Sequence, residues 1–177
     1  MARYTHADYV NESGIIRAAL ISFFGSFIHV TSFHNLNSIR SDGLLPRSDK
    51  EAPKEVTEIL GKDAGNILCL YPYGAKLNPN GTAEPPFVSF SLAAEDLPNR
   101  IGLDWSYIPS PTMPSEWFGD KIFHAAIYNA NEYGSIVSYD AIPADRLRIF
   151  CVGDRPTSPL SWRRFIDAEV ADIYRYT

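Results

Sequence analysis

One segment of the 177-residue chain constrains the fold most strongly, because residues 27–46 carry the signals of a strand, a helix and an extended exit in succession. The apolar residues Phe27–Val30 are typical of a short buried strand. Ser32 can cap a helix over roughly Phe33–Asp42, and Gly43 suits the left-handed stop that follows. The segment therefore predicts a strand–helix unit with a helix N-terminus beside the end of the strand.

Two polar residues of this strand, His29 and Thr31, are candidates for ligand contact. They are two positions apart, so on a strand they project from the same face. An imidazole and a hydroxyl next to a helix N-terminus suit a polar, hydrogen-bonding ligand, including one that bears phosphate. The alternatives are a hydrogen-bonded structural histidine and a threonine that begins the turn or caps the helix.

Length and composition predict one soluble globular domain over residues 1–177, since 45% of the residues are hydrophobic and 21% are charged. The net charge of −5 argues against nonspecific binding to nucleic acid, which relies on many Lys and Arg. Cys69 and Cys151 lie in apolar runs and are predicted to be buried free thiols, which favours a reducing, cytoplasmic location. Residues 1–6 lack the apolar core of a secretory signal, and residues 14–28 are too short and polar to cross a membrane.

The remaining pattern places helices and strands in separate runs without βαβ alternation, which favours the α+β class. Helices are predicted at Asp8–Phe24, Lys50–Leu60 and Ser161–Tyr174, and strands at Gly65–Tyr71, Phe87–Leu92, Lys121–Tyr128, Ser135–Tyr139 and Arg146–Val152. Two proline-rich loops, residues 73–86 and 105–118, separate some of them. Trp105, Tyr107 and Trp117 in the second loop would either stack on a ligand or pin the loop to the core.

A family resemblance follows from the block His29-x-Thr31, Asn35-Leu36, Ile39 and Gly43-Leu44. This block resembles the opening of the ADP-ribosyltransferase fold, in the His-x-Thr branch that includes diphtheria-type toxins and DNA-targeting ADP-ribosyltransferase toxins. Residues 87–92 look like the family's second strand. Residues 135–147 look like its last strand and its Ile-Pro-x-x-Arg-Leu exit. The resemblance implies a split β-sandwich with flanking helices, in which two small sheets pack face to face and NAD lies between them.

The resemblance also implies roles for individual residues. His29 and Thr31 would hold the ribose and nicotinamide of NAD, and Ser89 or Ser91 would shape the nicotinamide pocket. Arg47 would face the pyrophosphate, because a guanidinium matches phosphate oxygens.

The family's catalytic acid is a Glu at the start of the third strand, where it stabilises the positive charge that develops on the ribose. Ser135 stands at that position in this chain. Glu132, three residues earlier, would reach the site if the turn over residues 132–134 folds inward, and His29 would complete the catalytic pair. Glu169 is a second acid in a similar context, but it follows the exit motif.

The resulting hypothesis is an NAD-dependent ADP-ribosyltransferase, a toxin or an effector, that transfers ADP-ribose to a macromolecular acceptor and releases nicotinamide. The acceptor would be a protein or a nucleic acid, with no membrane and no metal involved. The main alternative is a catalytically inactive protein of the same fold that binds a nucleotide or a protein partner. An NAD glycohydrolase and an enzyme acting on an RNA 2′-phosphate stay open as further alternatives, although the latter needs several Arg and His side chains converging on phosphate.

Overall fold

The computed structural model of the chain describes residues 6–47, 51–73, 86–103 and 122–153. Within these ranges the helices are α1 (His6–Asn11), α2 (Ser13–Phe23), α3 (Leu36–Asp42), α4 (Lys54–Leu60) and α5 (Ile122–Tyr133). The strands are β1 (Ser26–Ser32), β2 (Leu68–Pro72), β3 (Phe87–Ala93), β4 (Ile101–Leu103), β5 (Ile136–Ser138) and β6 (Arg148–Gly153). The predicted helix Ser161–Tyr174, Glu169 and the loop over residues 105–118 lie outside the described residues.

The described strands form one antiparallel six-stranded sheet in the order β4-β5-β2-β1-β3-β6. Helices together with an antiparallel sheet place the chain in the α+β class. Strands β1 and β3 pair along seven positions, from Ser26↔Ala93 to Ser32↔Phe87. By contrast, β1 and β2 pair through Phe27↔Pro72 and Ile28↔Tyr71 only. The face-to-face packing of two small sheets that the resemblance implies is not seen in the described ranges. The strands form one sheet instead, whose halves β4-β5-β2 and β1-β3-β6 are joined edge to edge through the short β1–β2 pairing.

Two hydrophobic clusters hold the helices on this sheet. The main cluster packs α2 against α5 and the sheet, and it contains Ile16, Ala19, Leu20, Phe27, Leu70, Ala125, Ala126, Ala130 and Ile136, among others. The second cluster contains Val56, Ala64, Ile67, Val137 and Tyr139. Neighbouring residues of β5, Ile136 and Val137, belong to different clusters, so this strand is buried on both faces and shows no polar alternation.

The predicted strand Lys121–Tyr128 is wrong, because its described residues, Ile122–Tyr128, lie in helix α5. Buried residues recur at helical spacing, with Ile122, Ala125, Ala126 and Ala130 all under 10% exposed. The small alanine side chains let α5 pack closely against α2. His124 is consequently a helix residue rather than a strand histidine.

The predicted helix Asp8–Phe24 is two helices that meet at Glu12. Glu12 leaves helical geometry with φ −98° and ψ 26°. The Ser13 hydroxyl lies 2.8 Å from the Val10 carbonyl oxygen and 2.7 Å from the Ile101 carbonyl oxygen. This anchoring to β4 fixes the start of α2 and redirects the chain between the two helices.

Candidate functional site

The site begins where β1 and β2 stop pairing. Both strands continue past the Ile28↔Tyr71 pair, but in the described ranges His29–Ser32 on β1 have no partner on β2. The described pairing of Leu68–Leu70 is with β5, on the other edge of β2. We call the space between His29–Ser32 and Leu68–Leu70 the β1–β2 gap. An opening between strands exposes side chains and main-chain groups that a continuous ladder would cover.

His29 bridges the β1–β2 gap with its ring. Its Nδ1 lies 2.9 Å from the carbonyl oxygen of Cys69 on β2. A carbonyl oxygen only accepts hydrogen bonds, so Nδ1 carries the proton and donates it. In the neutral ring Nε2 then has a free lone pair and acts as an acceptor. The hydrogen bond thus sets both the orientation of the ring and the atom that it presents to a ligand.

The charge of His29 follows from its surroundings. Burial lowers the pKa of His29 from its ordinary value of 6.5, and the hydrogen bond to the Cys69 carbonyl opposes this effect in part. The ring is therefore neutral at pH 7. His29 as a whole residue is not completely shielded from solvent, which leaves a side from which a ligand that supplies a hydrogen-bond donor can approach.

Thr31 lies on the same face of β1 and has its own partner. The side-chain amide of Asn35 donates a hydrogen bond from Nδ2 to Thr31 Oγ1 over 3.0 Å. The hydroxyl oxygen is the acceptor in this bond, so its own proton can be donated elsewhere. His29 and Thr31 therefore present an acceptor and a donor at neighbouring positions along one face.

The pairing of β1 with β3 decides what lies beside these two residues. His29 pairs with Phe90, and Thr31 pairs with Val88. Phe90 and Val88 are buried in the main cluster, so they form an apolar floor beside the polar pair.

Ser89 and Ser91 do not belong to this face. They pair with Val30 and Ile28, whose side chains project from the opposite side of the sheet. Ser89 is also fully buried. The structure therefore does not bring either serine together with His29 and Thr31.

Arg47 lies at the far end of the β1–β2 gap. Its main-chain N–H donates to the carbonyl oxygen of Ile67, the residue that precedes β2, over 3.3 Å. Three residues earlier, Leu44 forms a two-bond bridge with Ile142, which follows β5. The β1–β2 gap thus has the β1–β2 pairs at one end and segment 44–47 at the other. Arg47 is exposed at this second end.

The position of the expected catalytic acid is occupied by Ser135, which is 2% exposed and directly precedes β5. Glu132 lies in the last helical turn of α5, and not in the loop turn over residues 132–134 that the sequence predicts. The helix stops at Gly134, whose φ is 67°. The side chain of Glu132 lies outside the described part of the structure. Among the described residues, no carboxylate forms a hydrogen bond or an ion pair with His29 or Thr31.

Sequence reasoning missed three contributors to this site, namely the Cys69 carbonyl, Asn35 and Phe90. Asn35 is part of the quoted motif, and its spacing of four residues from Thr31 was the available signal. The other two depend on which strands lie next to β1, and no local pattern encodes that arrangement.

Comparison of the chain with protein-family models, curated proteins and solved structures finds no match. Cys69 forms no disulfide bond and is half-buried. In the described ranges, His, Cys, Asp and Glu side chains form no group of three or more that could hold a metal ion. None of the helices described is both long and apolar enough to traverse a lipid bilayer.

Proposed function

We propose that this protein is an NAD-dependent ADP-ribosyltransferase of the split β-sandwich fold and that NAD binds at the β1–β2 gap. The observation that carries the proposal is the neutral imidazole of His29, held by Cys69 so that Nε2 accepts, beside a threonine hydroxyl that can donate. The family resemblance of the His29-x-Thr31 block supports the same assignment.

The polarity of this pair favours a sugar over a phosphate. An atom that approaches Nε2 must donate a hydrogen bond, as a ribose hydroxyl does. Ionised phosphate oxygens only accept, so they suit a charged or donor-rich site. His29 as held here would meet the nicotinamide ribose, and this argues against an enzyme whose histidine grips an RNA 2′-phosphate.

Arg47 would serve the other part of the dinucleotide. It stands exposed at the end of the β1–β2 gap bounded by segment 44–47, where a pyrophosphate leaving the ribose site would emerge. Ser89 and Ser91 are not part of this proposal, because they project from the opposite face.

The reaction requires an acid. Breaking the bond between ribose and nicotinamide leaves positive charge on the ribose, which a fixed carboxylate stabilises. We assign this role to Glu132, which precedes the start of β5 by one helical turn. The bond between ribose and nicotinamide breaks and nicotinamide leaves as a neutral molecule with the electron pair. An acceptor side chain or base then bonds to the ribose carbon and releases its own proton to solvent.

A second candidate is a protein of the same fold that binds NAD without turning it over. The observation that favours it is Ser135, a buried hydroxyl at the position where the family has its acid. The two candidates share the binding site and differ only in the chemical step.

Two measurements test the proposal, NAD binding by titration calorimetry and nicotinamide release by chromatography. We expect the wild type to bind NAD and release nicotinamide, His29→Ala to lose binding, and Glu132→Gln to bind NAD but release nicotinamide at least about 100-fold more slowly. Glu55→Gln, at an exposed position in α4, is the charge-matched control and should behave as the wild type. A wild type that binds NAD without release would establish the second candidate, and one that does not bind NAD would contradict both.

A further inference from the structure

The side chain of Asn35 bonds to Thr31 rather than to the helix. Asn35 ends the 3₁₀ turn Phe33–Asn35 that leads directly into α3, and its own backbone is helical, with φ −81° and ψ −6°. Its side chain caps no helix N–H. The amide reaches back four residues and donates to Thr31 Oγ1.

This arrangement has a directional consequence. A hydroxyl oxygen that accepts from Asn35 Nδ2 keeps its own proton for another acceptor. Within the described ranges no protein group takes that proton, since the bond from Asn35 is the one hydrogen bond of the Thr31 side chain. Thr31 is also partly exposed. The asparagine thus leaves the hydroxyl proton of Thr31 available for a ligand.

We propose that Asn35 is a positioning residue, which makes the Thr31 hydroxyl a donor to an acceptor atom of the bound nucleotide. This inference rests on the proposed NAD site at the β1–β2 gap. Asn35 acts through Thr31 and has no assigned contact with the ligand. Because the Asn35 carboxamide makes no capping bond to the helix, its described side-chain hydrogen bond is the one to Thr31.

Asn35→Asp is the most informative variant, because it keeps the shape of the side chain and reverses the polarity of the bond. A carboxylate oxygen only accepts, so the Thr31 proton would turn toward residue 35 and away from the ligand. Residue 35 lies in the first turn of the helical segment that begins at Phe33, where a negative charge is favourable. A purely structural role predicts unchanged or higher stability and unchanged ligand binding.

The experiment measures the dissociation constant for NAD by calorimetry, together with the midpoint of thermal unfolding of each variant. We expect Asn35→Asp to raise the dissociation constant roughly tenfold without lowering the unfolding midpoint. Asn37→Asp is the matched control, because it adds the same charge at an exposed position of α3 two residues away. It should bind NAD as the wild type does.

A double-mutant cycle with Thr31→Val separates positioning from other effects. If Asn35 acts through the hydroxyl, Asn35→Asp should have no further effect on binding once Thr31 is valine. Thr31→Ser, which keeps the hydroxyl, should retain binding and the penalty from Asn35→Asp. Equal affinity of wild type and Asn35→Asp, or an undiminished effect in the valine background, would overturn the inference while leaving the NAD site intact. A wild type without NAD affinity would overturn the proposed function and this inference with it.

Discussion

His29 links the chemistry of the proposed site to the stability of the fold. Its ring is neutral because burial disfavours the charged form, and its Nδ1 proton is committed to the Cys69 carbonyl. In the unfolded chain the same ring regains its ordinary pKa of 6.5. Below that pH the unfolded state therefore binds a proton that the folded state resists, and stability is lost as the pH falls from about 7 toward the lowered pKa of the folded protein.

This linkage predicts the behaviour of His29→Asn. The asparagine amide can donate to Cys69 but does not titrate. We expect the wild type to lose more stability than His29→Asn between pH 7 and pH 5, measured as the difference in urea unfolding free energy at each pH. Other titrating groups are common to the two proteins, so they cancel in the comparison. Parallel pH profiles for the two proteins would show that His29 is not held neutral by the fold.

The positions of individual site residues could be predicted from the sequence only in part. The shared face of His29 and Thr31 follows from the two-residue period of a strand, so it could be predicted. The face on which Ser89 and Ser91 lie could not be predicted in this way. Their face relative to His29 depends on the register of β3 against β1, and a shift of one residue exchanges the two faces.

Among the secondary-structure elements, α3 ends at Gly43, directly before the bridge between Leu44 and Ile142. Its φ is +77°, as the predicted left-handed stop requires. A Cβ at this position would collide with the carbonyl oxygen of Ile142, which accepts the bridge from the Leu44 N–H. Gly43 is therefore needed both for its backbone conformation and for close approach to residue 142.

We expect Gly43→Ala to lower the free energy of unfolding by at least about 2 kcal/mol, combining the left-handed backbone cost with the collision. Gly14→Ala is the matched control. Gly14 lies in α2, and a Cβ there meets no atom within 4 Å, so alanine should be neutral or stabilising by up to about 1 kcal/mol. Chemical unfolding monitored by circular dichroism measures both. Equal free energies of unfolding for the two variants would contradict the requirement for glycine at position 43.

The type and bounds of some elements could be predicted better than those of others, for physical reasons. Strands β1, β3 and β6 are rich in aromatic and β-branched residues and lie close to their predicted bounds. Helix α5 was taken for a strand because a short apolar run fits either period, and the buried alanines that distinguish it face α2 rather than a local neighbour. Strand β4 has three residues, one of them glycine, and it is a strand because it pairs with β5.

At the scale of the molecule, the proposed ligand site lies between the two halves of the sheet. The halves share the β1–β2 pairs at one end and segment 44–47 at the other. A dinucleotide bound between them would contact both, so it would stabilise the folded state as a whole. Ligand at 100 times its dissociation constant contributes about 2.7 kcal/mol.

NAD should accordingly raise the midpoint of thermal unfolding of the wild type, and the rise should grow with the logarithm of the NAD concentration. His29→Ala should show little or no rise over the same range, because it lacks the ribose contact. Differential scanning calorimetry gives the midpoints. An equal rise in both proteins would indicate that NAD binds away from the β1–β2 gap.

The boundaries of the β1–β2 gap are made of main-chain hydrogen bonds. Tyr73 donates to Ser26 beside the β1–β2 pairs, and Leu44 and Ile142 exchange two bonds at the other end. Peptide groups are common to every amino acid except for the missing N–H of proline, so these bonds place little demand on the flanking side chains, apart from Gly43, where a Cβ would meet the Ile142 carbonyl oxygen. Chains that differ in most of their side chains can therefore form the same opening.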